Sequence, residues 1–562
     1  MGSHIPVDVA SFEAHDDDFD VIVVGCGPTG ATLTNRLRGQ GYRVAVFDRE
    51  EEVFPAPRAM LIDDESERIF GDLGVLDQMR AADLILFDSH RFVDGRHRML
   101  ADLRPLESGL SVGWMFHQPT FERLLREQFG LGVGVSTFFG HDVVAVANGT
   151  EGAQVYAVDA ASGQGRRYRA RYVIGCDGGS SVVRRSMGVA RTDFGFSQPW
   201  VVVDAVVHDQ EFFDSLREGS EFLCRPGRAA VFVKGCRRHL RFDFQVDPVE
   251  GETDWTEQAR EHIAGYLDPA TLTIIRVAPY QWYAGMPRQW RAGRLLLAGD
   301  AAHQTPPFAG QGLNMGLRDA MNLAFKLDAV LAGRAPDALL DTYEQERWDN
   351  CAEVIKGAVR VGRLVTGAGV LARLGRTVVL FALRHSKTLV RARANADLRK
   401  EPYRAGLIGG AHRLSGTLMV NPRVTVDGDA TTLDRATGNE FTLLTLRRPR
   451  AAASAEFARR FGGRVVVLGD EVVCADGELT AWLRHHRVEA VLVRPDRYVF
   501  DAGTDPDALA AALIGAVGAV GAYSTDGDHE AEPSSGAAAG RGFDAVGDDS
   551  PSGAERLRHP RL

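Results

Sequence analysis

The stretch from Asp20 to Asp48 restricts the fold of this chain more than any other. Residues 20–24 (DVIVV) and 43–48 (RVAVFD) are short apolar runs of the buried-strand type. A glycine-rich turn and a segment of helical character, from about Thr29 to Arg38, lie between them. Strand, helix and strand in that order form a βαβ unit and predict a parallel sheet. The turn reads Gly25-Cys26-Gly27-Pro28-Thr29-Gly30, the G-x-G-x-x-G spacing. Gly25 permits the tight turn, Gly27 lets backbone approach a pyrophosphate, and Gly30 lets the helix pack closely on the strand. Pro28 and Thr29 open the helix, where free N–H groups and the helix dipole favour an anion. Asp48 ends the second strand, placed to accept hydrogen bonds from an adenosine ribose, and Arg49 follows near the adenine end. These residues predict a dinucleotide site; the turn alone does not separate NAD from FAD.

The chain has 562 residues, 45% of them apolar, enough for roughly two to four domains. Net charge is −10, and the basic residues are dispersed, which argues against a nucleic-acid partner. The six cysteines, Cys26, Cys176, Cys224, Cys236, Cys351 and Cys474, form no C-x-x-C pair and no zinc spacing, so reduced thiols and no metal are expected. The start carries Asp16, Asp17, Asp18 and Asp20 rather than a signal sequence. No uninterrupted apolar run of ~18 residues occurs, so no membrane partner is expected. The expectation is a cytoplasmic protein.

Farther along, residues 200–207, 229–234 and 239–246 read as strands of a mainly antiparallel sheet inserted into the α/β domain. Residues 294–298 return to the buried parallel type, and 312–331 and 338–364 are helical. Beyond 403, strands are predicted at 464–468 and 489–493, with helices at 478–486 and 506–519. The Gly-, Ser-, Asp-, Ala- and Pro-rich end offers too little apolar surface to offset ordering entropy.

Two further signatures follow the first. Residues 172–185 (YVIGCDGGSSVVRR) carry a strand that ends in Asp177-Gly178, with Ser180, Arg184 and Arg185 at a helix start. Residues 297–319 (LAGDAAHQTPPFAGQGLNMGLRD) carry Gly299-Asp300 at a strand end, an extended Pro306-Pro307, and Gly310-Gln311-Gly312 opening a helix at Leu313-Asn314. An acidic acceptor for sugar hydroxyls, followed by free N–H groups at a helix start, suits anions and polar rings. His303 is read as a packing residue of this turn.

In this order, the three signatures resemble those of the class A FAD-dependent aromatic hydroxylases, of the p-hydroxybenzoate hydroxylase fold. The resemblance implies that Asp300 holds the ribityl chain of FAD. It also implies that the amides of Leu313 and Asn314 cradle the flavin pyrimidine edge, that Asp177 serves FAD and NAD(P)H, and that Pro307 borders the reacting ring. Pro57-Arg58-Ala59 with Ile62-Asp63-Asp64-Glu65 looks like the loop beside the flavin, and His117-Gln118-Pro119 like the Gln-Pro segment, with Gln118 on the flavin side. PRAMLIDDE, HQP and the remote LVRPDRYV (492–499) are closest to the 3-(3-hydroxyphenyl)propionate hydroxylase group. Hydroxylases that tailor polycyclic polyketides share the overall pattern.

The resemblance implies an α/β fold: a Rossmann-like FAD-binding domain (19–88, 108–196, 291–400), an inserted substrate domain (89–107, 197–290) and a thioredoxin-like C-terminal domain (401–520). A flexible start (1–18) and a disordered tail (521–562) flank these, and a homodimer is left open. The implied activity uses FAD, NADH or NADPH, and O₂ to hydroxylate a phenolic substrate through a flavin C4a-hydroperoxide. The cofactor carries the oxygen chemistry, while the protein orients the ring, excludes water and assists phenol deprotonation. Asp63, Asp64, His117 and Tyr283 are candidates for that last task. Any substrate carboxylate would call for an arginine, and Arg225, Arg228, Lys234, Arg237, Arg238 and Arg241 cluster in the expected substrate domain. The seven tryptophans never stand two apart, so the W-x-W-x-I-P segment of flavin-dependent halogenases is absent. A non-catalytic flavin-binding protein is the remaining alternative.

Overall fold

The computed structural model describes residues 12–87, 89–103, 113–131, 134–225, 227–247, 254–386, 401–410, 412–450, 452–474 and 477–522. The tail expected from 521 lies outside these, except for its first two residues, which close the Pro506–Ala522 helix. Six helices position the site: α1 (Pro28–Leu37), α2 (Asp64–Asp72), α3 (Gln118–Glu127), α4 (Val182–Met187), α5 (Gly312–Leu331) and α6 (Asp341–Thr366); α7 (Val370–His385) follows α6.

The first sheet has a parallel core in the order Leu295–Leu297, Gly165–Gly175, Glu13–Val24, Val44–Asp48, Val135–Phe139, extended by three antiparallel strands, Arg291–Ala292, Ala153–Asp159 and His141–Asn148. Val21 to Val24 and Val44 to Phe47 are buried, because a parallel sheet covered on both faces has strands that are apolar throughout. The first strand begins at Glu13, which corrects the expectation of a flexible start through residue 18. Its acidic half pairs with the Gly165–Gly175 strand, where Asp18 meets Arg169 at 3.8 Å and Asp20 meets Arg171 at 3.7 Å. Cross-strand charge takes the place of apolar burial there, and that pairing partner lies over a hundred residues away in sequence.

The second sheet runs Leu272–Pro287, Arg191–Val207, His239–Gln245, Ala230–Lys234, Ser220–Leu223, His90–Val93, Met99–Leu103. It is antiparallel except where Ser220–Leu223 meets His90–Val93. Alternation along the strands gives it two unlike faces. One face (Val201, Val203, Leu240, Phe242, Phe244) packs with Phe213, Ala259 and Ile263 from the Gln210–Ser215 and Trp255–Ile263 helices. The other carries Trp200, Asp204, Arg241, Asp243, Arg276 and Tyr280 in facing register. The Arg191–Val207 strand is twice as long as the sequence predicts. Gly195, at φ +70°, and Pro199 break the local pattern, but pairing with Leu272–Pro287 carries the strand through.

The C-terminal region is a four-stranded sheet in the order Arg464–Val467, Thr442–Thr445, Ala490–Val493, Val499–Gly503. Only the first pair is parallel. Its Arg494, Asp496, Arg497 and Tyr498 are buried. Arg494 reaches Glu346 of α6 at 2.6 Å, and Arg497 reaches Asp72 of α2 at 2.6 Å. The region is therefore docked on the nucleotide domain through buried charge.

Candidate cofactor and substrate site

Three turns converge where α1 and α5 start. Gly25 has φ +95°, and a Cβ there would lie 2.5 Å from the carbonyl oxygen of Cys176. Gly30 packs against the backbone of Gly25 itself. At Gly27 nothing approaches a Cβ position closer than the Arg58 guanidinium at 3.9 Å, so this backbone stays open. Pro28 is the first residue of α1, and Gly27 caps the helix without a side-chain bond. Thr29 packs against Gly299, which has φ +63° and whose Cβ would fall 2.7 Å from Thr29 Oγ1. Gly310, at φ +61°, ends the Pro307–Ala309 turn, in which Pro307 is exposed. Helix α5 then begins at Gly312 with no side-chain cap from Gln311, leaving the amides at Gly312, Leu313 and Asn314 without intrahelical partners.

Carboxylates surround these turns. Asp48 accepts the amide of Cys26 at 2.7 Å and that of Glu50 at 2.9 Å. Arg49 points to the surface, paired with Glu50 at 3.2 Å. Asp177 caps α4 by accepting the Val182 amide at 2.6 Å, while its Oδ1 is buried without a partner. Asp300 lies open beside the start of α5, and an added Cβ at Gly312 would stand 3.9 Å from its Oδ1. Desolvation raises its pKa, against the pull of His303, Arg58 and Arg184. Behind it, His303 is fully buried and bonds Asp319 at 2.6 Å. Asp319 also accepts the Gly299 amide at 3.0 Å and Arg347 at 2.8 Å. His303 thus helps to hold the Gly299-Asp300 turn.

Several expected residues are engaged within the protein. Asp63 caps α2 through the Ser66 amide at 3.0 Å and pairs with buried Arg318. It is committed to structure, which corrects its candidacy as an acid–base group; Asp64 is simply the first residue of α2. Gln118 uses Oε1 for the amides of Arg58 and Ala59, at 2.9 and 2.6 Å, and Nε2 for Glu122 at 2.5 Å. Its side chain anchors the Arg58 loop. Asn314 ties Asp63, Ser66 and Gly310 together through its side chain. His117 holds Thr120 at 2.9 Å, and burial pulls its pKa down to about 4. Tyr283 lies beneath the Arg191 guanidinium at 4.7 Å. Of the basic cluster, Lys234 and Arg237 pair with Glu218 and Asp83. Arg241 alone bonds the loop beside the site, donating to the carbonyls of Pro57 and Arg58.

Four residues beyond those expected shape the site. Arg126 stacks over Phe139 at 4.5 Å and bonds the Cys26 carbonyl at 3.2 Å, and its Nε and Nη1 are buried without partners. Its signal was the i, i+4, i+8 spacing Gln118, Glu122, Arg126 on α3. Tyr280 is 53% exposed, yet desolvation raises its pKa within the fields of Asp300, Arg58 and Arg276. Arg276 and Arg58 flank Phe54, at 5.4 and 5.9 Å. Asp204, fully buried, receives His239 at 3.0 Å, Arg241 at 2.9 Å and Arg276 at 3.5 Å. Only sheet register brings these residues together.

The open backbone at Gly27, two uncapped helix starts, the unpaired Asp177 oxygen and Arg126 nitrogens, and an open Asp300 fit a dinucleotide bearing a ribityl chain. A polar-faced sheet adjoins it, with Trp200 and Trp282 stacked at 3.9 Å against Phe308. Fold and site define a flavin-dependent oxidoreductase with a buried aromatic cluster beside the Pro307 turn. Residues 18–358 match the FAD binding domain family, and 416–516 match the HcaD C-terminal domain. The chain is 34% identical to the probable NADH-specific resorcinol 4-hydroxylase of Rhodococcus jostii, over 87% of this chain and 93% of that one. It is 31% identical to a 3-(3-hydroxy-phenyl)propionate/3-hydroxycinnamic acid hydroxylase of Mycobacterium sp. (strain JLS), over 87% and 89%. The flavin-dependent monooxygenase PieE shares the fold at TM-score 0.75 and 23% identity, over 90% of this chain and all of that one. Aklavinone-11 hydroxylase superposes at TM-score 0.73 and 25% identity, over 90% and 99%. The chain belongs to the FAD-dependent aromatic hydroxylases, and FAD is its cofactor.

Proposed function

We propose that this enzyme uses NADH and O₂ to hydroxylate a single-ring phenol carrying a second polar substituent, of the resorcinol or 3-(3-hydroxyphenyl)propionate type. The observation that carries this reading is the Arg276–Tyr280 edge of the substrate sheet. Arg276 is partly exposed and held to protein carboxylate only by a 3.5 Å contact with Asp204, whereas Arg241 is consumed by the Pro57-Arg58 loop and Asp204. A guanidinium so placed can bind a carboxylate or phenolate and, by favouring the anion, lower the phenol pKa. The bound FAD supplies the oxidative chemistry. Around it, we assign Gly27, Pro28, Thr29 and Arg126 to the pyrophosphate region, Asp48 to the ribose, Asp300 to the ribityl chain, and the Leu313 and Asn314 amides to the flavin ring. Arg58 and Pro307 border the reacting ring, and Trp200, Trp282 and Phe308 exclude water. The six cysteines, none of them in a disulfide, suit a reducing, cytoplasmic setting.

NADH oxidation with FAD-loaded enzyme is to be measured against resorcinol, 3-(3-hydroxyphenyl)propionate and polycyclic phenols, with product masses. The expected product is a single-ring phenol heavier by one oxygen. Turnover confined to polycyclic phenols would transfer the chain to the polyketide-tailoring group, and no oxygenated product from any phenol would overturn the reading. Arg276→Met should raise KM for the carboxylated substrate by at least about tenfold, the size of a lost charge-assisted bond, while flavin content stays at the parent level.

A further inference from the structure

Helix α7 presents an apolar face that nothing in the described protein covers. Val370, Leu371, Leu374 and Phe381 are 82%, 85%, 61% and 62% exposed, and Val378 and Val379 are exposed as well. These are six of the twelve large apolar side chains exposed among the described residues, so the patch is not the ordinary scatter of a protein surface. Val370, Leu374, Val378 and Phe381 recur at i, i+4, i+8 and i+11, one stripe of the helix. The opposite side holds the two buried anchors, Leu380 and Arg376. Arg376 bonds the carbonyls of Leu364, Val365 and Gly367, which end α6. Arg384 ties the helix to Met99 at 3.0 Å, at the edge of the substrate sheet. The anchoring side is thus fixed to protein, and the apolar stripe is directed away from it.

Charge decides what the stripe fits. From Val354 to Ser386 the sequence contains Lys356, Arg360, Arg363, Arg373, Arg376 and Arg384 and no carboxylate at all, within a chain of net charge −10. Pairing with a second copy would set one acid-free cationic helix against another. An apolar stripe on a helix whose exposed charged side chains, Arg373 and Arg384, are both cationic matches the apolar boundary and anionic headgroups of a lipid surface. No single described helix is long and apolar enough to cross a membrane, and α7, with 16 residues, is suited to lying in the interface. We propose that α7 is an interfacial helix that docks this enzyme reversibly on anionic membrane surfaces.

The test is co-sedimentation of the full-length, FAD-loaded protein with vesicles of phosphatidylcholine alone and of phosphatidylcholine with phosphatidylglycerol. Binding is expected to the anionic vesicles, weakening strongly at about 0.5 M salt. The Leu374→Asp/Phe381→Asp double variant should bind at least about tenfold less, with flavin content and NADH oxidation at the parent level. Arg373→Glu gives an independent readout, losing affinity for anionic vesicles while keeping the apolar stripe. Absence of binding to both vesicle types overturns the proposal, as does binding unchanged in the double variant. Light scattering is the second arm: a dimer that the double variant converts to a monomer would assign the stripe to a contact between copies instead.

Discussion

Asp300 and Asp243 are both carboxylates whose pKa burial raises, and they differ in what surrounds them. Asp300 stands open beside the uncapped start of α5, so a ligand can complete its bonding. Asp300→Ala should lose most bound flavin while circular dichroism and the thermal midpoint of the apoprotein stay near those of the parent. Unchanged flavin content would refute its assigned role. Asp243 is shut inside the substrate sheet with Oδ1 unpaired, and desolvation lifts its pKa to about 7, with Arg241 opposing and Asp204 reinforcing. An acid raised in the folded state contributes stability that is complete below the unfolded pKa, roughly 4, and lost as pH rises through about 7. Asp243→Asn should therefore flatten the fall in stability across that window, by up to about 1 kcal/mol per pH unit. Thermal midpoints of parent and variant, measured from pH 4.5 to 8, check the slope; parallel curves would exclude it.

At the scale of elements, the contact between α1 and α5 sets the tolerance of the site. Gly316 lies inside α5, where alanine would ordinarily gain about 1 kcal/mol. Here an added methyl would meet Thr29 Oγ1 closely and the Gly299 Cα at 3.3 Å. Overpacking of about 1–3 kcal/mol outweighs the propensity gain, and the strain falls on two turns of the cofactor site. Gly316→Ala should lower both flavin retention and thermal midpoint. Adding Thr29→Ala should restore part of the loss, a non-additivity expected of touching residues. Much of this contact was readable from sequence, because Thr29, Gly299 and Gly316 all sit within the glycine signatures. The substrate sheet was less readable: Asp204, Arg241 and Arg276 belong to three strands, and no local pattern encodes their cross-strand register.

For the whole molecule, the join between the nucleotide domain and the C-terminal region rests on buried charge. Glu346 accepts Lys326 at 2.8 Å and Arg494 at 2.6 Å, and all three are buried. Against desolvation, the two cations hold Glu346 down to about 2. Removing the carboxylate leaves buried Lys326 without its carboxylate and Arg494 with Asp496 alone, at 2.6 Å, a loss of about 3 kcal/mol. Glu346→Ala should lower the thermal midpoint sharply and make the 401–522 region sensitive to protease, with little change in KM for whatever enzyme remains folded. A protease pattern identical to that of the parent would show that the join does not depend on this pair.

The sequence by itself determined the nucleotide fold and the order of its three turns, because these reside in contiguous glycine and aspartate patterns whose backbone demands are local; the FAD-dependent chemistry was what the resemblance of those patterns to the aromatic hydroxylases implied. Tertiary structure decided how the side chains are used. It committed Asp63 to Arg318 and Gln118 to the Arg58 loop, and it brought Arg126 to the glycine turn and Arg276 with Tyr280 to the substrate face. Those outcomes depend on strand register, burial and competition among partners distant in the chain, which no local spacing records.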